Sequence, residues 1–254
     1  MAILYPRHFG PPGLGGPQTD TFVATTLERV SLRLVRQAAL EILLEARHGV
    51  DEAQALAEKL VRRFVEALVP IRDLHDTDIA AAFVGDPSAK SLDEIVLCFP
   101  GREAILRHRL AHMMATLGLP LIARIMAELS HAATAIDIHP GARIGPACFI
   151  DHGTGVVIGE TAVIGRNVRI YQQVTLGAKS FESDADGALV KGLPRHPVVE
   201  DDVVIYAGAT ILGRITIGRG SIIGGGVWVT ESIPPGSVVT QAKPRLQLRQ
   251  DSRS

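Results

Sequence analysis

The chain has 254 residues with 26 Lys+Arg against 27 Asp+Glu, a formal net charge of −1, so no global field draws it to nucleic acid or an anionic membrane and any charged ligand must be met locally. With 46% apolar and 21% charged residues it can build a sizeable core as one or two domains. Only 4% of residues are aromatic against 25 glycines, which argues against a large aromatic-packed sandwich and for small and β-branched filling with many tight turns.

Residues 1–20, rich in Pro and Gly and without an apolar run of signal-peptide length, read as a flexible N-terminal tail. From Thr21 the pattern turns helical: Leu27, Val30, Leu34, Val35, Ala38 and Ile42 recur at helical spacing, and Ala53, Leu56, Ala57, Leu60, Val61, Phe64 and Leu68 repeat it. Gly49 separates these two helices and Pro70 is expected to end the second. A further helix runs into Gly85-Asp86-Pro87, Ser91-Leu92-Asp93-Glu94 offers a capping-box start, and helical patterns continue from about Arg102 to His131. Residues 21–135 read as an all-α domain. No stretch of 18 apolar residues crosses a membrane, and the apolar settings of the two cysteines, Cys98 and Cys148, predict reduced, buried thiols and a cytoplasmic protein.

After Ile136 a six-residue repeat takes over. Its first position is aliphatic: Ile138, Ile144, Ile150, then after a two-residue slip Ile158, Ile164, Ile170, Leu176, and after a loop Val199, Ile205, Ile211, Ile217, Ile223 and Val229. The fifth is small or β-branched (Ala142, Cys148, Thr154, Ala162, Val168, Val174, Val203, Ala209, Ile215, Ser221, Val227), so fifth and next-first positions share one face of a short strand. Polar third positions demand a corner every six residues, and glycine at 145, 159, 165, 177, 218 and 224, the second position, is expected to permit the bend. Short sides and regular corners make a parallel β-helix of about four coils, over residues 136–240, with a phase-breaking loop at 178–198 (AKSFESDADGALVKGLPRHPV) and a C-terminal tail at 241–254. The fold class is therefore α+β, an all-α N-terminal domain followed by a β-helix.

Three of the nine histidines, His139, His152 and His196, fall on the repeat. His152 holds a corner position beside Asp151, and Asp137 comes round nearly one coil earlier; an imidazole oriented by a carboxylate is the equipment of a general base, although a surface histidine at a turn fits the same residues. Arg195-His196-Pro197 closes the long loop with a fixed cation and a second imidazole, suited to a carboxylate ligand or simply a basic loop end. His108 and His112 mimic a zinc pair, but Arg109 stands where a zincin has glutamate, and no metal is expected. Cys148 reads as core, and nothing resembles a Rossmann or P-loop phosphate cradle.

The segments DIHPGARIG (137–145), IDHGTGVVIGETAVIG (150–165), VTLGA (174–178), RHP (195–197) and IYAGATILG (205–213), with GDPSAKSLDEI (85–95) and RHRLAHMM (107–114) in the helical part, resemble the serine O-acetyltransferases of the hexapeptide-repeat acyltransferase superfamily over about residues 80–240. The resemblance implies a left-handed β-helix that forms trimers, which helical domains pair into hexamers, with active sites between neighbouring prisms. It implies acetyl transfer from acetyl-CoA to the L-serine hydroxyl by direct attack, the first step of cysteine biosynthesis, with His152 as general base and Asp137 orienting it. By the same resemblance Asp86 and Asp151 would bind the serine amino group, Arg195 and His196 would hold its carboxylate, and Glu160 would support the site. On the same resemblance, acetyl-CoA would lie along a groove between prisms near Gly177, Ala178, Ala207, Gly225 and Arg219. The resemblance also implies feedback inhibition by L-cysteine and, in family members, docking on cysteine synthase through a terminal isoleucine; KPRLQLRQDSRS has none, which puts that complex in doubt. A sugar or other small acceptor, a γ-carbonic-anhydrase-like zinc lyase, and a non-catalytic scaffold remain the competing readings at this point.

Overall fold

The structure, a computed structural model, describes residues 1–44, 48–181, 183–184 and 186–242. The C-terminal segment on which the cysteine synthase expectation turns lies mostly outside the described residues. Seven helices, α1 (Pro6–Phe9), α2 (Gly16–Leu44), α3 (Val50–Glu66), α4 (Leu68–Gly85), α5 (Leu92–Cys98), α6 (Pro100–Thr116) and α7 (Pro120–Thr134), precede the repeat.

The first twenty residues do not form a loose tail. Leu4 and Tyr5 are buried, the Tyr5 hydroxyl donates to Asp76 at 2.7 Å and lies 2.6 Å from His75 Nδ1, and α2 already begins at Gly16. The prolines misled the reading: Pro6 and Pro17 sit in first turns, where a fixed φ suits the helix and the missing N–H has no partner to lose. Pro70 repeats the lesson, opening α4 rather than closing α3. Ser91 does cap α5, its hydroxyl accepting the Glu94 N–H at 3.1 Å. Cys98, expected to be buried, is exposed at the end of α5, whereas Cys148 is buried and burial pushes its thiol up to about 12.

From Asp137 the chain forms fourteen short strands: β1 (Asp137–Ile138), β2 (Arg143–Ile144), β3 (Phe149–Ile150), β4 (Val157–Ile158), β5 (Val163–Ile164), β6 (Arg169–Ile170), β7 (Thr175–Gly177), β8 (Val198–Val199), β9 (Val204–Ile205), β10 (Thr210–Leu212), β11 (Thr216–Ile217), β12 (Ile222–Ile223), β13 (Trp228–Val229) and β14 (Val238–Val239). Every third strand stacks in parallel up to β13, and β14 stacks on β12, giving sheet I (β1-β4-β7-β10-β13), sheet II (β2-β5-β8-β11) and sheet III (β3-β6-β9-β12-β14). This is a left-handed β-helix of hexapeptide repeats: a triangular prism of five coils, one more than the four expected from the hexads, with the fifth rung of sheet II supplied by the parallel Ile217–Ile233 bridge, and all thirteen first-position aliphatics lie in strands with their side chains in one continuous core.

Two details of the repeat differ from the sequence expectation. The slip after Ile150 exposes Thr154 and puts Val156 in the inward place. The second-position glycines do not carry the bend either. Positive φ falls at position four, on Ala147, Asn167, Gln173, Asp202, Gly208, Gly220 and Gly226. Position two needs glycine because the next coil passes too close: a Cβ on Gly145 would stand 2.6 Å from the Gly165 carbonyl oxygen.

The helical half is seated on the first coil. A Cβ at Gly101 would overlap the Ile150 carbonyl, so α6 lies directly against β3. Arg109 on α6 makes a two-pronged ion pair with Asp78 of α4 (2.8 Å for each contact) and donates to the Ile144 and Gly145 carbonyls, while Asp78 accepts the Cys148 N–H at 2.9 Å. No helix among the described residues is long and apolar enough to cross a membrane.

Candidate active site

The three edges of the prism hold different chemistry. At edge III/I the corner between β3 and β4 is two residues longer than the others, and it is the one that carries His152. Here positive φ moves to position three, on His152 itself (φ 57), and continues at Gly153 (φ 82) and Gly155 (φ 75). A non-glycine residue held in this region costs about 1 kcal/mol or more, and such strain gathers at functional positions. The imidazole is lifted into solvent, 70% exposed, with Nδ1 3.8 Å from Asp151 Oδ1.

Asp86 is delivered to the same edge by backbone chemistry. Pro87 drives Asp86 out of helical conformation (φ −108, ψ 110), ending α4, and Gly85 lets that end settle on β3, since a Cβ there would meet the Phe149 ring at 2.7 Å. The Asp86 carboxylate accepts the Ser88 N–H at 2.8 Å, which with the Ser88 side chain holds its pKa below the usual value; the nearby His152 adds to this. Asp86, Asp151 and His152 thus form one cluster.

Asp137 does not join it within the chain. Its strand partner is Val157, five residues past His152, so it stands on the face of sheet I rather than at the corner. Among the described residues no hydrogen bond or ion pair links it to His152.

Edge I/II holds the second cluster. Arg195 donates to Glu160 Oε2 at 2.7 Å. The buried His196 ring packs over Gly159, where any Cβ would overlap it. Thr161 and Arg214, which the sequence reading passed over, tie this edge together: Thr161 bonds the backbone and ring of His196, and Arg214 donates to the carbonyls of Thr161 (2.8 Å) and His196 (3.0 Å). His139 lies close by, its Nδ1 accepting the Gly141 N–H at 3.0 Å. Burial lowers the pKa of both His139 and His196; Arg195 lowers both further and Glu160 opposes it.

The candidate acetyl-CoA contacts divide between the same two edges. Gly177 and Ala178 lie where the long loop leaves edge I/II, beside a cavity of about 160 Å³ whose lining includes Lys179, Arg195 and Arg214. Ala207 and Gly225 stack on edge III/I in the coils beyond His152, next to the stacked rings of Tyr171 and Tyr206 (centroids 5.1 Å apart). Arg219 stands apart from both. The hexad phase puts it on edge II/III, where it pairs with Asp201 at 3.4 Å. His108 and His112 face each other at the domain joint, 5.7 Å between centroids, and among the described residues no third ligand completes a metal site with them.

Comparison with known proteins gives a consistent picture. The bacterial transferase hexapeptide (six repeats) family matches residues 196–231. The plasmid serine acetyltransferase of Synechococcus elongatus is 56% identical over 257 residues, spanning 99% of this chain and 79% of the relative. The serine acetyltransferase of Mycobacterium tuberculosis is 48% identical over 162 residues, 64% of this chain and 67% of the relative. Among solved structures, isoform 3 of the Entamoeba histolytica serine acetyltransferase, in complex with cysteine, superposes with a TM-score of 0.84 at 39% identity, covering 98% of this chain and 81% of that one. The Neisseria gonorrhoeae serine acetyltransferase, in complex with serine, gives a TM-score of 0.64 at 29% identity over 90% of each chain.

Proposed function

The chain belongs to the serine acetyltransferase family and is an acyltransferase that acetylates L-serine; we propose that the clusters on edges III/I and I/II are the two halves of its active site, joined where neighbouring protomers meet. The sugar-acceptor, zinc-lyase and scaffold readings give way to it. The observation that supports the joined site is the separation itself. One edge offers the base and two carboxylates; on the other the carboxylate, Glu160, is taken up by Arg195, which leaves a guanidinium and a second imidazole to meet an anion, so neither alone holds both ends of an amino acid.

In this reading His152 takes the proton from the serine hydroxyl as its oxygen attacks the thioester carbonyl of acetyl-CoA, with no covalent enzyme intermediate. The Asp151 carboxylate beside the ring favours the imidazolium that forms, and with Asp86 it receives the serine ammonium. Arg195, held in orientation by Glu160, and His196 receive the serine carboxylate. Asp137 acts on the His152 of a neighbouring protomer. Acetyl-CoA lies between the prisms along Gly177, Ala178, Ala207 and Gly225, with Lys179 and Arg214 supplying local positive charge to a chain whose net charge is only −1. Arg219, already paired on the third edge, is not given this role. The proposed assembly is a homotrimer or a pair of trimers in the cytoplasm, and L-cysteine, a close analogue of serine, binds the same carboxylate and ammonium partners as a feedback inhibitor.

The test is thiol release from acetyl-CoA. It should require L-serine and fall by two orders of magnitude or more in His152→Ala, the usual range for loss of a general base. Thiol release stimulated by amino sugars and not by L-serine would overturn the assignment.

A further inference from the structure

We infer that Thr161 is a positioning residue that fixes the tautomer of His196, leaving its ring N–H on Nε2 to be given to the substrate carboxylate. The inference rests on the role proposed above for His196.

The argument is a count of donors. Thr161 Oγ1 lies 2.9 Å from the Arg195 backbone nitrogen and 3.1 Å from that of His196, and both are N–H donors, so the hydroxyl oxygen accepts twice. Its own proton must go elsewhere, and its remaining partner is His196 Nδ1, 2.9 Å away. The Thr161 backbone N–H also points to Nδ1, at 3.1 Å. Two donors therefore converge on one ring nitrogen: the hydroxyl, committed as a donor by the two N–H groups it accepts, at 2.9 Å, and the backbone N–H behind it at 3.1 Å. Nδ1 must carry a lone pair, and a neutral ring then has its only proton on Nε2.

Protonating Nδ1 as well would set its N–H against the Thr161 N–H, so the same geometry keeps the imidazole neutral. The charged and titratable groups around the ring are Arg195, Glu160, His139 and Arg214; burial favours the neutral form most, the two guanidiniums and His139 add to it, and Glu160 opposes them. Nε2 itself has no partner among the described residues. With the tautomer reversed, a lone pair would face the incoming carboxylate and repel it. Thr161 thus decides whether His196 attracts or rejects the substrate without touching it.

Thr161→Val keeps the shape and removes the hydroxyl; Thr161→Ser keeps the hydroxyl. For Val we expect the KM for L-serine to rise about tenfold, the size of one lost hydrogen bond to a charged group, with the KM for acetyl-CoA and kcat within about twofold of the parent. The Ser variant should stay within about twofold throughout. Histidine-15N-labelled enzyme reads the tautomer directly: His196 Nδ1 should give an unprotonated-nitrogen signal in the parent and in Ser, and a mixed signal in Val, where the longer backbone contact is left to hold the tautomer alone. Arg214→Met removes the clamp on the Thr161 and His196 carbonyls without touching the ring, and should leave that signal unchanged. An unchanged His196 signal in Val, with a rise in the L-serine KM matched by Arg214→Met, would mean that Thr161 only anchors the loop, and the inference falls. If His196→Ala leaves the serine KM at its parent value, it is the role of His196 in the site that fails instead.

Discussion

Gly159 decides where the His196 ring can stand. The ring lies flat over the space a Cβ would occupy, so Gly159→Ala must push the imidazole off its Thr161 anchor or distort the turn, at a cost of about 1–3 kcal/mol. The variant should fold, as shown by an unchanged circular dichroism spectrum, and lose at least about tenfold in kcat/KM for L-serine; full activity would show that the ring has freedom to spare. At this scale the sequence was an uneven guide. His152, Arg195 and His196 stood out because reactive side chains at corners interrupt an apolar repeat. Thr161 did not, because a threonine in a β-rich repeat is unremarkable and its partners lie 34 and 35 residues further on, across a long loop. The two-residue slip after Ile150 was visible, but its meaning was not: spacing shows an insertion, while only the backbone shows that it carries His152 into a left-handed corner.

Between elements, the joint of helices and prism depends on groups that would be costly if left unpaired. Asp78 and Arg109 are both buried, at 1% and 4% side-chain exposure, and between them they bond α4, α6, the Ile144 and Gly145 carbonyls and the Cys148 N–H. Arg109→Met strands the Asp78 carboxylate and should cost about 3–5 kcal/mol in urea unfolding. If Asp78→Asn combined with it restores much of that loss, the cost came from the stranded charge rather than from packing. His108 sits in the same joint. Burial pushes its pKa from 6.5 down to about 3, with His112, Arg109 and His139 lowering it further and the Ala142 carbonyl opposing them. The unfolded chain takes up a proton below pH 6.5 and the native chain does not until about 3. Stability from this group is therefore complete above 6.5 and is lost as the pH falls, by about 1.4 kcal/mol per unit. His108→Gln should flatten the stability curve between pH 6 and 4 by that slope; curves that stay parallel would show that the ring is protonated in the native state. None of this joint was legible beforehand. A period reveals which face of an element is apolar, whereas the Asp78–Arg109 pair joins residues 31 apart whose only sequence signature is charge. Composition misread the N-terminus for a related reason, since proline content says nothing about whether a proline opens a helix or breaks one.

For the whole molecule, the placement of the site constrains the assembly. The repeat was legible because six-residue periodicity and prism geometry are the same fact, though not where its corners bend, and it sets His152, the proposed base, at one edge and Arg195, the proposed carboxylate receptor, at another. A two-fold dimer would bring like edges together. Joining unlike edges needs a head-to-tail contact, and three such contacts close a ring around a three-fold axis. Complementation tests this directly. His152→Ala disables edge III/I and Arg195→Ala disables edge I/II, so each homo-oligomer should be nearly inactive. In trimers assembled at random from equal amounts, a site is intact only where a protomer with a sound III/I edge meets a neighbour with a sound I/II edge, which occurs with a probability of about one quarter. Co-refolding the two variants should therefore recover about a quarter of the parent kcat per site, with the KM for L-serine unchanged. If instead every site lay within one chain, the mixture would stay as inactive as its parts, and the two edges would have to serve separate purposes.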